Sequence, residues 1–167
     1  MAEGKYEARR QAALNACNIV DTLREDVYDR AVRLSSMIFD VPVSLVTLID
    51  NDRQWFKAVY GLDVTETPRE WAFCDHAIRS TELFEITDPL DDARFRDNPL
   101  VTGPPHIRYY AGAPLVTEDG YGLGTLCIVD TKTREPLTET RRQILSELAQ
   151  MVMREIELRK ADKTGAG

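Results

Sequence analysis

The fold is decided by residues 43–60, VSLVTLIDNDRQWFKAVY. Val43–Asp50 is a run of β-branched and apolar side chains without glycine or proline, which reads as a buried strand. Asn51 and Asp52 form a turn pair, and Arg53–Tyr60 resumes strand character around Trp55, Phe56 and Val59 until Gly61 stops it. Together they predict an antiparallel hairpin.

Upstream, Leu14, Ile19, Leu23, Val27, Ala31, Leu34 and Ile38 recur at helical spacing and predict one helix over about 5–39, ended by Asp40-Val41-Pro42. Downstream, Pro68 followed by Trp71, Phe73, Cys74, Ala77 and Ile78 predicts a short helix within 65–80. Residues 83–87 read as a short strand. Residues 88–106, rich in Pro, Asp and Asn, form a long ordered loop with one helical turn near 93–97. A second hairpin follows, 107–116 and 121–129, across Glu118-Asp119-Gly120. A last helix, 138–160, has Thr138 as N-cap and a stripe through Leu145, Leu148, Val152 and Ile156.

This order predicts an α+β domain. The two hairpins join through the short strand into one antiparallel sheet of five to six strands. The terminal helices lie on one face, and the short helix and long loop cover a pocket on the other. The expected division is a helical extension over 1–16, one domain over 17–160 and a disordered tail over 161–167.

The chain has 167 residues, the size of one domain, and 43% of them are apolar, enough for a core. A formal net charge of −7 argues against nucleic acid and against an anionic membrane face. The charged N-terminus lacks the apolar core of a secretory signal, and no apolar run is long enough to span a bilayer. The 3 cysteines, Cys17, Cys74 and Cys127, form no CxxC pair, which fits a reducing compartment; a cytoplasmic location is expected.

Residues 43–78 (VSLVTLIDNDRQWFKAVYGLDVTETPREWAFCDHAI) and 86–130 (ITDPLDDARFRDNPLVTGPPHIRYYAGAPLVTEDGYGLGTLCIVD) resemble the GAF family, in the subfamily found free-standing or upstream of bacterial diguanylate cyclases and histidine kinases. The resemblance covers roughly 19–158. It implies the GAF/PAS-like form of the α+β fold and a sensory role with a small-molecule ligand. It implies no cofactor and does not name the ligand. A signalling partner such as a kinase or cyclase is implied, and the apolar stripes of the N- and C-terminal helices predict a homodimer.

Three constellations supply the candidate ligand-binding residues. Trp71, Phe73, Cys74 and His76 lie on the predicted short helix, where they either face the pocket or pack on the sheet. Asp88, Arg94, Phe95 and Asn98 lie on the loop, where they either contact a ligand or shape the loop through their own backbone. Arg108 and Tyr110 share one face of a strand; Arg108 either pairs with an anionic ligand or forms a structural pair on the rim. Arg94 and Arg108 are the case for a small anion.

A metal site is not expected, because His76 and His106 lack ligand spacing. Gly120, Gly122 and Gly124 lie in a hairpin, so they are no dinucleotide fingerprint. Some GAF-like proteins reduce free methionine sulfoxide through cysteines. Cys74 is the residue for that chemistry here, but the loop holds no resolving thiol. Bilin attachment lacks a cysteine near His106, and the cyclic-nucleotide signature is absent. An alternative without ligand is a pure dimerisation module.

Overall fold

A computed structural model describes residues 2–165, with side chains over 3–160. The elements run α1 (Ala2–Ala16), α2 (Asp26–Phe39), β1 (Val43–Asp50), β2 (Arg53–Tyr60), β3 (Glu66–Pro68), α3 (Cys74–Ala77), β4 (Phe84–Ile86), α4 (Pro99–Thr102), β5 (Tyr109–Val116), β6 (Gly122–Asp130) and α5 (Glu139–Gly165). The six strands form one antiparallel sheet in the order β3-β2-β1-β6-β5-β4.

The α+β architecture is the expected one, but the joint between hairpins differs. β1 pairs directly with β6, from Val43 opposite Val129 to Leu48 opposite Gly124. The short strand β4 sits at the edge on β5. Long strands that are apolar on both faces must lie inside a sheet, whereas three residues suit an edge.

Two clusters lie on opposite faces. On one, α2 and α5 cover Val46, Leu48, Leu115, Leu126 and Ile128 with Tyr28, Val32, Phe39, Leu145, Ala149 and Ile156. On the other, the segments between β3 and β5 cover Val43, Leu45, Phe56, Tyr110, Cys127 and Val129 with Phe73, Phe95, Val101 and Ile107.

The predicted single N-terminal helix is broken. α1 ends at Ala16 and α2 begins at Asp26, with Asn18 and Asp21 at positive φ between them. Ile19, Val20 and Thr22 are weak helix formers, and a buried cation captures the segment instead. A bulge in β2 places Lys57 unpaired between Phe56, opposite Thr47, and Ala58, opposite Val46. Its ammonium is fully buried and donates to Thr22 Oγ1 at 2.8 Å, Leu23 O at 2.5 Å and Glu25 Oε2 at 2.5 Å. Glu25 also pairs with Arg159 of α5. A lysine without water needs all its donors met, and the chain reverses here to meet them.

α1 is held in the same way. Arg10 is 1% exposed and donates to Ile49 O at 2.8 Å and Gly122 O at 3.3 Å, carbonyls at the ends of β1 and β6. α5 continues through 161–165, the start of the stretch expected to be a disordered tail, because no breaker stands before Gly165. Residues 166–167 of that tail lie outside the described residues. No described helix is long and apolar enough to cross a membrane.

Candidate functional site

The segment predicted as one helix over 65–80 divides into β3, a tight turn at Arg69–Trp71 and the single turn α3. Pro68 closes β3 and also stands, as expected, at the start of a helix, here the one-turn 3-10 helix Arg69–Trp71: Pro68 lies opposite Arg53, and Arg69 N donates to Asp52 O at 2.9 Å. The fixed φ of proline suits an edge strand as well as a helix start. In the long loop, the turn expected at 93–97 is present as one hydrogen-bonded turn, Arg96 N donating to Asp92 O at 2.9 Å, and a further helical turn, α4, follows with Asn98 as its N-cap.

Between this cover and the sheet lies a cavity of about 220 Å³. Leu45, Phe56, Cys127 and Val129 form its floor; Phe73, Leu100, Ile107 and Tyr110 its walls; Leu62, Val64, Pro104 and Pro105 its rim. Gln54 and Thr67 are polar members of the lining.

Of the candidates named from the sequence, Phe73 and Tyr110 line this cavity. The others are engaged elsewhere. Arg94 pairs with Asp92 at 2.8 Å and lies over the rings of Phe84 and Phe95 at 5.2 and 5.3 Å. Arg108 donates to the carbonyls of Val101 at 2.8 Å and Ile107 at 2.9 Å. The anion case built on these arginines therefore finds neither at the cavity. Asp88 accepts from Leu90 N at 3.1 Å and shapes the loop. Asn98 accepts from Leu100 N at 2.9 Å and donates to the carbonyl of Trp71 at 3.1 Å, fastening the loop to the turn before α3. Trp71 is not among the residues that line the cavity.

Phe95 and His76 belong to an aromatic plug beside the cavity. Phe95 stacks on Phe73 with centroids 4.2 Å apart, meets His76 edge-on at 4.9 Å and approaches Phe84 at 6.1 Å. Tyr110 closes the plug 5.1 Å from Phe73. Much of the space expected beneath the loop is thus solid aromatic packing. The Tyr110 ring lies flat along its own strand because Gly112 has no Cβ; one placed there would stand 2.2 Å from Tyr110 Oη.

Under the plug runs a buried polar row. Cys74 Sγ donates to Gln54 Oε1 at 2.7 Å, and Gln54 Nε2 donates to Thr67 Oγ1 at 2.9 Å. Thr47 and Thr125 hydroxyls meet at 3.0 Å, and Tyr110 Oη reaches Thr125 Oγ1 at 3.4 Å. Cys74 is 0% exposed, and burial pushes its thiol far above the ordinary range. Burial also raises Cys127 to about 12. Neither is placed as a thiolate, and Cys74 serves as a structural donor. Among the described residues no group of three or more His, Cys, Asp or Glu is placed to hold a metal.

His76 is held below its ordinary value of 6.5, first by burial and then by Arg79. A histidine with a depressed folded pKa binds fewer protons folded than unfolded, so stability falls as pH drops through 6.5. The melting temperature should therefore decline between pH about 7.5 and about 5.5, a window set by the unfolded histidine. Glu7, held at about 2 by its hydrogen bond to Arg10, acts only below its ordinary 4.5. His76→Phe should flatten the slope in this window; an unchanged slope would refute the assignment.

The lining residues that the sequence reading missed come from strand alternation and from turns. Leu45, Phe56, Cys127 and Val129 point away from the helix-covered face, and that periodicity is the signal that could have found them. Leu62, Val64, Pro104 and Pro105 sit in connections whose sequences signal only turns.

The chain is 41% identical over 150 residues to a cyclic di-GMP phosphodiesterase, PA2567, of Pseudomonas aeruginosa; the match covers 90% of this chain and 26% of that protein. The chain thus spans about a quarter of the length of that curated relative. Among solved structures, the GAF domain of a phosphoenolpyruvate-protein phosphotransferase from Coxiella burnetii superposes with a TM-score of 0.69 at 14% identity, covering 96% of each chain. A type II free methionine-R-sulfoxide reductase from Thermoplasma acidophilum superposes at 0.62 and 13% identity, covering 77% of this chain and 88% of that one. At such identities these two show the fold alone. The model of the GAF domain matches residues 19–156, and the chain belongs to the GAF domain family.

Proposed function

We propose that this chain is a sensory module that binds a small molecule in the cavity between β2, β6 and the segments over them, and relays binding through its terminal helices as a homodimer. The observation that carries the reading is a preformed, mostly apolar cavity whose walls are tied to α1 and α5 by ion pairs. Phe56 lines the cavity, and its neighbour Lys57 links through Glu25 to Arg159 of α5. On the other wall, Arg69 holds Asp75 of α3 at 2.9 Å and Glu7 of α1 at 2.6 Å. A ligand that shifts either wall biases a helix that leaves the domain.

The partner surface is the groove between α2 and α5. Val27 is 43%, Leu34 42% and Met151 65% exposed there, with Arg30, Arg154, Glu147 and Glu155 alongside. Apolar centre and charges of both signs suit an isologous pairing with a second copy. By likeness to the Pseudomonas phosphodiesterase, the output partner is a second-messenger phosphodiesterase, cyclase or kinase, and the role is regulatory. The buried, protonated Cys74 favours this over thiol-dependent reduction.

A metabolite library screened by thermal shift, with sedimentation in parallel, tests the reading. At least one compound should raise the melting temperature by several degrees. The protein should sediment as a dimer that Leu34→Glu with Met151→Glu converts to monomer. A library without a hit overturns the ligand, and a wild-type monomer at high micromolar concentration overturns the dimer.

A further inference from the structure

We infer that the cavity takes an uncharged, predominantly hydrocarbon ligand, a one-ring or small two-ring aromatic or a branched aliphatic, rather than an anion or a nucleotide. The inference rests on the ligand-binding reading above and specifies its chemistry.

Size comes first. The cavity is about 220 Å³, whereas sites for drug-sized molecules begin at about 300 Å³. An apolar cavity of about 150 Å³ accepts benzene, so this one holds on the order of ten non-hydrogen atoms. That is too small for a nucleotide.

Lining chemistry comes second. Leu45, Leu100, Ile107 and Val129 present only hydrocarbon, and Phe56, Phe73 and Tyr110 present rings. Rings prefer offset or edge-on ring partners, which favours an aromatic guest. No Lys, Arg, His, Asp or Glu is among the lining residues.

The polar groups of the lining are largely engaged with one another. Gln54 Nε2 donates one of its two hydrogens to Thr67 Oγ1 and Gln54 Oε1 accepts from Cys74 Sγ, which leaves a single neutral N–H over. Thr67 Oγ1 donates to Pro68 O at 3.3 Å, and Tyr110 Oη meets Thr125. Among the described residues no buried side-chain nitrogen or oxygen lacks a partner. A carboxylate or phosphate entering here would lose its water and find no cation and at most one neutral N–H in exchange. Its affinity should be weaker by about 100-fold or more than that of the neutral ligand of the same shape.

Entry is provided at the rim. Val64 is 43% exposed, and with Leu62, Pro104 and Pro105 it makes an apolar mouth between two connections. A neutral guest passes it without shedding a tightly held hydration shell.

The test is titration of the full chain with toluene, indole, benzoate and inorganic phosphate, read by methyl resonances of Leu45, Leu100 and Val129 and by thermal shift. Toluene and indole should move these resonances and raise the melting temperature by a few degrees, with benzoate about 100-fold weaker and phosphate silent. Leu62→Trp at the rim should abolish the toluene and indole shifts; if that variant does not fold, Leu100→Phe serves. Benzoate or phosphate binding as well as toluene overturns the ligand class and leaves the pocket reading standing. Silence from toluene and indole also overturns the assignment, and the pocket reading then falls only if the metabolite screen is silent too.

Discussion

Gly124→Ala is expected to destabilise the domain by about 4 kcal/mol or more, and to leave most of the protein insoluble on expression. A Cβ at this position would stand 1.7 Å from Thr47 O, 2.6 Å from Thr47 C and 2.8 Å from Leu48 Cα. All three are backbone atoms of the adjacent strand, so no rotamer relieves the clash. Gly124 lies opposite Leu48 on β1 and Leu115 on β5, in the middle of the sheet. The β1–β6 seam is also what joins β3-β2-β1 to β6-β5-β4. Parting it exposes apolar surface on both faces and disturbs Thr125, whose hydroxyl meets Thr47 and Tyr110 beneath the cavity. Gly120→Ala is the control. It has open space and a φ of 91°, so it should cost only about 1 kcal/mol of turn strain. Urea midpoints of the two variants decide the matter: equal losses would show that close strand approach is not what Gly124 provides.

That glycine illustrates where reading the chain succeeds and where it stops. The hairpin pattern around Gly120 is local: Asp119-Gly120 fits a turn, and it stands between two largely apolar runs of strand length. The need for Gly124 is not local, because it depends on which strand lies beside it. Strand order is equally non-local. Nothing inside residues 84–86 says whether three residues bridge two hairpins or edge one of them.

The break in the N-terminal helix has a similar origin. The apolar spacing through Ile19 and Leu23 continues a helical stripe, yet Leu23 is 88% exposed and Ile19 fully buried. What interrupts the helix is Lys57, more than thirty residues away, whose buried ammonium collects Thr22, Leu23 and Glu25. At the site, charge misled. Arg94 and Arg108 looked like anion ligands because guanidinium groups bind anions. Arg94 finds its acid two residues away at Asp92, and Arg108 finds carbonyls of the loop it supports. The apolar cavity carried no comparable motif. Its lining is spread over two hairpins and three connections, and only the strand faces hint at it.

Phe95→Ala should cost about 3–5 kcal/mol and change the site more than its distance from the cavity suggests. Phe95 is 1% exposed and is the centre of the plug, stacked on Phe73, edge-on to His76 and covered by Arg94. Removing the ring leaves a void that the loop can fill only by collapsing, and that loop is pinned beyond Phe95. Asn98 ties its middle to the Trp71 carbonyl, and Ile107 N donates to Leu100 O at 2.9 Å where it enters β5. Collapse is therefore partial, and Phe73, losing its stacking partner, is free to turn toward the void. Phe73 also walls the ligand cavity, so the two spaces merge. The variant should show a urea midpoint lowered with unchanged m, and faster amide exchange over 88–106 and 73–78 than over β1 and β6. It should also accept guests larger than the wild-type cavity admits. Phe95→Leu, which keeps part of the volume, should fall between the two. A loss below about 1 kcal/mol in Phe95→Ala would mean the plug is not packed as a unit, because full collapse is the one way to escape the cavity cost.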